Sequence, residues 1–155
     1  TALVAVGCES PDALAAAVRR EVNSARREHG QDPVEHVDAL DEIAADYATT
    51  LRYNTDYGHR LDGAPGDRAP RFVDVRENLH RRDAGRVGVN KTATATVTAW
   101  LESPGHRENL LSTQMRVAGL GVAASTNKLY VVHVLAAGES AAASLRDAAA
   151  TLNPF

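Results

Sequence analysis

Trp100-Leu101-Glu102-Ser103-Pro104-Gly105-His106-Arg107-Glu108-Asn109-Leu110-Leu111 is the stretch whose reading decides the fold. Proline cannot donate the amide that a helix interior needs, and it pushes the residue before it towards extended geometry. A helix carrying Trp100 therefore ends near Ser103, and the chain restarts at Pro104 in a new direction. His106 falls at that bend, where side chains tend to face a cleft, and this makes it a site candidate. Trp100 reads as the anchor of its helix in the core.

Working outward, Ser10-Pro11-Asp12 is a helix start: a serine cap, a proline where its missing N–H is harmless, and an acid near the positive helix end. Leu14, Val18, Val22 and Ala25 share one face and predict a helix to about His29, stopped by Gly30. Asp38 reads as the cap of a second helix, in which Leu40, Ile43, Ala44, Tyr47 and Leu51 recur at steps of three and four. From Asn54 to Gly66 the pattern collapses into turn formers, which predicts an exposed loop. His59 sits in that loop and is not core filler; simple exposure and membership of a site are both open readings.

Further on, Thr92, Thr94, Thr96 and Thr98 alternate as in a strand, whereas Ala93, Ala95 and Ala99 favour a helix. The period alone leans towards strand. Gly119 to Ala123 and Leu129 to Leu135 are apolar runs joined by a polar turn at Ser125 to Lys128, which predicts a β-hairpin. The alanine-rich tail from Ser140 predicts a short helix that ends before Pro154.

Composition narrows the function classes. A chain of 155 residues fits one domain, and a domain of that size hides about two-thirds of its unfolded surface. With 44% hydrophobic and 24% charged residues it has the make-up of an ordinary globule. No apolar run approaches the roughly 20 residues of a membrane helix, so no membrane span is expected. A net charge of -3 argues against nucleic acid as the partner. The arginines at 68, 71, 76, 81, 82 and 86 are interrupted by Asp67, Asp74, Glu77 and Asp83, so they read as a mixed-charge loop, with an anion-binding patch as the alternative. One cysteine, Cys8, cannot form an internal disulfide. It follows the apolar run Ala2 to Val6 without a preceding basic segment, and reads as a buried or frayed thiol. A chain beginning at Thr1 is expected to be a processed or trimmed product from which a leader is missing.

Four elements then appear in order: Asn23-Ser-Ala-Arg26-Arg-Glu-His-Gly30, His59-Arg-Leu-Asp-Gly-Ala-Pro-Gly-Asp-Arg68, Arg76-Glu77-Asn78-Leu79, and the Trp100 to Leu111 segment. Together they resemble the CAP superfamily of cysteine-rich secretory proteins, insect venom antigens and plant pathogenesis-related proteins. The likeness is strongest to its bacterial SCP-like branch, in which a Trp-x-x-Ser-Pro-Gly-His-Arg-x-Asn-Ile/Leu-Leu motif is characteristic. The resemblance implies an α+β fold, a three-layer α-β-α sandwich with a small antiparallel sheet between helices. It places a helix, not a strand, over Lys91 to Glu102. It divides the chain into an N-terminal extension (1–10), a CAP domain (11–138) and an Ala-rich tail (139–155).

The resemblance also implies a cleft carrying two histidines and two acids. His59, Glu77 and His106 match three of these positions; the fourth falls on Ser103, with Glu102 beside it but pointing elsewhere on a helix. Arg76 stands where the family has glycine, a cation able to shield Glu77 or narrow the cleft. Asn78 and Asn109 are expected to tie backbone groups, and Asp62, Gly63 and Arg68 to shape the rim, with Arg68 pinning carbonyls or carboxylates.

Two imidazoles and a carboxylate suit zinc or a similar divalent metal with open positions, at which water is activated. The same groups serve equally as a hydrogen-bonded brace between loops. No His-Glu-x-x-His or Gly-x-Ser-x-Gly element accompanies them, and His106-Arg107-Glu108 lacks the Pro-Cys-x-x-Cys partner of a deaminase. No catalytic residue is assigned. The expectation is a monomeric extracellular or cell-surface domain that binds a lipid, glycan, peptide or protein ligand and requires no cofactor. A metal-dependent hydrolase or peptidase using the same cleft is the alternative.

Overall fold

The computed structural model of the chain describes residues 10–61, 63–85 and 87–152. In chain order the elements are α1 (Pro11–Glu28), β1 (Glu35–His36), α2 (Asp38–Tyr53), α3 (Pro65–Arg68), β2 (Phe72–Val73), β3 (Arg76–Asp83), α4 (Val89–Glu102), α5 (Pro104–Leu111), β4 (Val117–Ala124), β5 (Lys128–Ala136), β6 (Gly138–Glu139) and α6 (Ala141–Leu152). The Ser10 hydroxyl caps α1 by accepting from Ala13 N at 3.1 Å, and Gly30 follows the helix in the left-handed region at φ 73°. Both ends lie where the sequence puts them. Cys8, Asp62, Arg86 and Pro154 lie outside the described residues.

The main sheet has the order β1-β4-β5-β3, and β2 pairs with β6 beside it. Its three long strands are antiparallel, while β1 joins β4 in parallel over two residues. The predicted hairpin is the β4–β5 pair, closed by Ser125 N donating to Lys128 O at 2.8 Å. Bonded and non-bonded pairs alternate along antiparallel strands, so this turn sets the phase of the whole sheet. Even-numbered residues of β5 bond to β4 and odd-numbered ones to β3. Ala84 N, donating to Asn127 O at 2.9 Å, keeps the same phase. Since Asn78 lies opposite His133 and Arg81 opposite Tyr130, the main-chain groups of Glu77, Leu79 and Arg81 turn away from β5 towards the open side of β3.

Alternation of side chains across the sheet separates two cores. On one face Leu14, Val18 and Val22 of α1, Val97 and Trp100 of α4 and Leu110 of α5 pack on Leu120, Val131 and Leu135. On the other, Leu40, Ala44, Tyr47 and Leu51 of α2 pack on Leu79, Val132 and Val134. Helix α2 rests directly on β4: a Cβ on Gly119 would stand 2.0 Å from the carbonyl carbon of Leu40, and one on Gly121 2.2 Å from Ala45 N. Only glycine permits that approach. Beyond the end of β1, Asp41 Oδ1 accepts from Leu120 N at 2.8 Å and takes the next outward amide of β4.

The first core also holds a histidine pair. His133 of β5 is fully buried, stacks on Trp100 with centroids 5.6 Å apart, and has no hydrogen bond through either ring nitrogen. His36 lies 5.6 Å from it, and its Nε2 is also buried without a partner. Burial, aided by Arg19 and opposed by Asp41, pushes the His36 ring down to about 4. Burial also holds His133 well below the ordinary histidine value, with His36, Arg26 and Arg19 acting in the same direction.

Residues 91–99 are helical, as the family resemblance implies and against the period alone: α4 buries Thr92, Ala93, Thr96, Val97 and Trp100 at helical spacing, which splits the alternating threonines between an inner and an outer face. The inner hydroxyls are satisfied, Thr96 by Thr92 O at 2.9 Å and Thr92 by Val87 O at 3.2 Å. Asp38 is the first residue of α2, not its cap. Val37 N donates to Ala118 O at 2.9 Å, so the pairing of β1 fixes the entry to the helix and leaves Val37 in the cap position. Pro65 and Gly66, assigned to the loop, begin α3, whose entry is held by Ala64 N donating to Asp67 Oδ2 at 3.0 Å.

Candidate functional site

Glu77 is the hub of the cleft. It lies on β3, turned towards the α2 side, with a side chain fully closed to solvent. A buried carboxylate needs charged or hydrogen-bonded partners, and both of its oxygens have one. Oε1 meets His59 Nδ1 at 3.1 Å, and Oε2 accepts from the Arg68 guanidinium. Arg68 also donates to Gly63 O and His59 O, and its guanidinium lies 3.6 Å over the Tyr47 ring. The Tyr47 hydroxyl donates to Gly58 O and accepts from Leu61 N at 3.3 Å. The loop carrying His59 is thereby fastened to β3 and α2 despite having no periodic structure. Gly63 turns the chain at φ 81°.

The second wall is α5. Asn78 donates to His106 O at 2.9 Å, while Asn109 donates to Asn78 Oδ1 at 3.0 Å and to Glu77 O at 3.4 Å. Trp100 Nε1 donates to Leu79 O at 3.0 Å. At the far end of α5, the buried Arg26 guanidinium donates to Leu110 O at 2.7 Å, to Ser112 O at 3.2 Å and to Asp32 O at 2.7 Å. These bonds bring His106 to His59, with ring centroids 6.1 Å apart and planes inclined at 50°. Burial lowers the His106 value and the neighbouring His59 lowers it further, which favours the uncharged ring.

The remaining predicted residues divide. Ser103 is half-buried at the junction of α4 and α5; it offers its carbonyl to Arg107 N at 2.8 Å, and its hydroxyl makes no cap. Glu102 is exposed on the outer face of α4 with Lys91, Thr94 and Thr98, away from the histidines. Arg76 turns to Asp74, with contacts of 3.0 and 3.1 Å, so the cation on Glu77 is Arg68 and not the neighbour in sequence. The period of α2 marks Tyr47 as core alone; the signal for its second role is a hydroxyl that, once buried, requires a partner. No motif marks His80. It projects from β3 on the same side as Asn78, half-buried, and burial, Arg82 and His106 all lower its value.

As a metal site this arrangement is incomplete. Among the described residues no group of three or more His, Cys, Asp or Glu side chains is placed to hold an ion. The carboxylate that would join His59 and His106 is already held by Arg68.

The family model for CAP, the cysteine-rich secretory protein family, matches residues 19–136. The chain belongs to the CAP family. Among solved structures, an outer surface protein of Borrelia burgdorferi is similar at 25% identity, with 84% of this chain and 96% of that one covered and a TM-score of 0.72. An extracellular SCP-domain protein of Bacillus anthracis is 23% identical over 84% of this chain and 44% of its own, with a TM-score of 0.63. A cysteine-rich secretory protein of Staphylococcus aureus shares the fold at 15% identity, over 83% of this chain and 40% of its own, with a TM-score of 0.61. No curated protein matches in sequence. Within this CAP domain, as described, no helix is long and apolar enough to cross a membrane.

Proposed function

We propose that this CAP domain is a binding module, acting outside the cell or at its surface, whose cleft between His59 and His106 receives a peptide or another small polar ligand. The observation that carries this reading is the state of Glu77. With one oxygen on His59 and the other on Arg68, and no exposure to solvent, it supplies neither a free base nor a ready third metal ligand. It serves instead as a buried post that holds His59 in place. The imidazole nitrogens left over, Nε2 of His59 and both of His106, are the recognition groups. Similarity to an outer surface protein and to an extracellular protein supports the location.

The metal-dependent hydrolase is the second reading, favoured by the proximity of the two imidazoles. One CAP-fold relative of 11% identity is described as a structure with Zn2+. For this chain that reading requires Glu77 to leave Arg68.

The test uses the full chain and its His59→Ala and His106→Ala variants. Titration with short capped peptides, followed through the imidazole C–H resonances of His59 and His106, is expected to shift those signals in the parent and to lose the effect in the variants. Zinc chloride followed by ester and casein turnover is expected to give no rate above background. Zinc-dependent turnover that disappears in His106→Ala overturns the binding reading in favour of the hydrolase.

A further inference from the structure

The cleft opens onto a free strand margin. β3 is the last strand of the sheet on its side, and the hairpin phase turns the N–H and C=O groups of Glu77, Leu79 and Arg81 outward. Two of the three carbonyls are taken: Glu77 O accepts from Asn109 of α5, and Leu79 O from Trp100 of α4. Arg81 is not covered. Among the described residues its outward main-chain groups have no partner; beyond it Asp83 O accepts from Gly85 N at 2.9 Å, so the open stretch centres on Arg81.

The side chains along this margin that lack an ion pair are two arginines and a histidine. On the α2 side Arg81 lies 4.7 Å over the Tyr57 ring, next to the His59 loop. On the other side His80 and Arg82 continue the face of Asn78, His80 near His106 and Arg82 beyond it. The acids nearby are already engaged: Glu77 with Arg68 and His59, Asp74 with Arg76, and Asp83 with Lys128. Arg81 and Arg82 have no acidic partner among the described residues. Charged side chains on a strand margin normally discourage pairing with a copy of the same chain. Here they repel a second Arg81-Arg82 margin and favour a strand of opposite charge.

We propose that an extended acidic peptide adds to the sheet along β3, pairing its main chain with Arg81 and directing its carboxylates to the Arg81, Arg82, His80 and cleft-histidine donors. This deepens the binding reading and rests on it. Main-chain pairing supplies affinity that is indifferent to sequence, and the flanking cations supply selection for acidic side chains.

The probe is a fluorescein-labelled seven-residue peptide of alternating Glu and Val, capped at both ends, measured by anisotropy against the full chain. N-methylation at its central residues removes main-chain donors and leaves the charge unchanged. It is expected to weaken binding at least tenfold, and replacing Glu by Lys is expected to abolish binding. Arg81→Glu with Arg82→Glu, checked for parental folding by circular dichroism, is expected to lower affinity at least tenfold and to recover it for the Lys peptide. Equal affinity for the N-methylated and parent peptides overturns strand addition. If His59→Ala and His106→Ala still weaken binding in that case, the cleft reading survives and this one fails. If neither methylation nor the histidine variants matter, both fail.

Discussion

Replacing the buried histidine pair should remove much of the acid sensitivity of the fold. His36 has a folded value of about 4, against about 6.5 for a free histidine, and His133 is held well below the free value by complete burial. A group that binds protons more weakly when folded loses stability as pH falls through its unfolded value, because the unfolded chain takes up the proton first. The window therefore opens near pH 6.5 and, for His36, closes near 4. At pH 5 a histidine that stays neutral in the fold has given up about 2 kcal/mol relative to pH 8, so the pair accounts for about 4 kcal/mol. For a domain of this size that corresponds to roughly 10 °C in Tm. Tm is measured at pH 8 and pH 5 for the parent, for His133→Phe, which keeps the stack on Trp100, and for His133→Phe with His36→Gln. The single variant should lose about half as much of the pH-linked drop as the double variant does. Equal drops in parent and double variant would show that these rings do not carry the acid response.

Four further outcomes follow from packing and charge. Gly121→Ala places a methyl 2.2 Å from the backbone of α2 and should cost about 3 kcal/mol in urea unfolding. Gly105→Ala, with nothing within 4 Å of its added carbon, should be neutral or stabilising. Arg68→Met leaves the closed Glu77 carboxylate without its cation and should cost about 3–5 kcal/mol; adding Glu77→Leu should restore part of this, read as a coupling energy in a double-mutant cycle. Trp100→Phe removes the donor to Leu79 O and should cost about 1–3 kcal/mol, measurable as a lower denaturant midpoint.

Much of this molecule is legible locally. Ser10 with Pro11 fixes the start of α1, and the polar turn at Ser125 to Lys128 fixes the hairpin, because each rests on contacts within a few residues. Residues 91–99 were not legible from period alone. Four threonines at alternate positions fit a strand face and also fit two faces of a helix, and what decides is burial against α1 and the sheet. The cap of α2 failed for a similar reason, since Val37 takes its place through a partner 81 positions away, Ala118. At the cleft, motif matching supplied His59, Glu77 and His106, but the ion pair could not be read from adjacency. Arg76 is next to Glu77 in sequence and turns away, whereas Arg68 reaches it from α3. His80 carried no motif, and only the pleat of β3 puts it on the His106 side.

The two margins of the sheet also bear on self-association. On the β4 side the parallel pairing is only two residues long and Asp41 takes the next amide, while the hairpin phase turns Val122 outward beyond both; on the β3 side Arg81 is open. A molecule with two open margins of different make-up has a head and a tail, and contacts of that kind repeat without closing. The charges of Arg81 and Arg82 therefore act as a stop on the β3 end. A variant that replaces both with apolar residues should grow past the dimer.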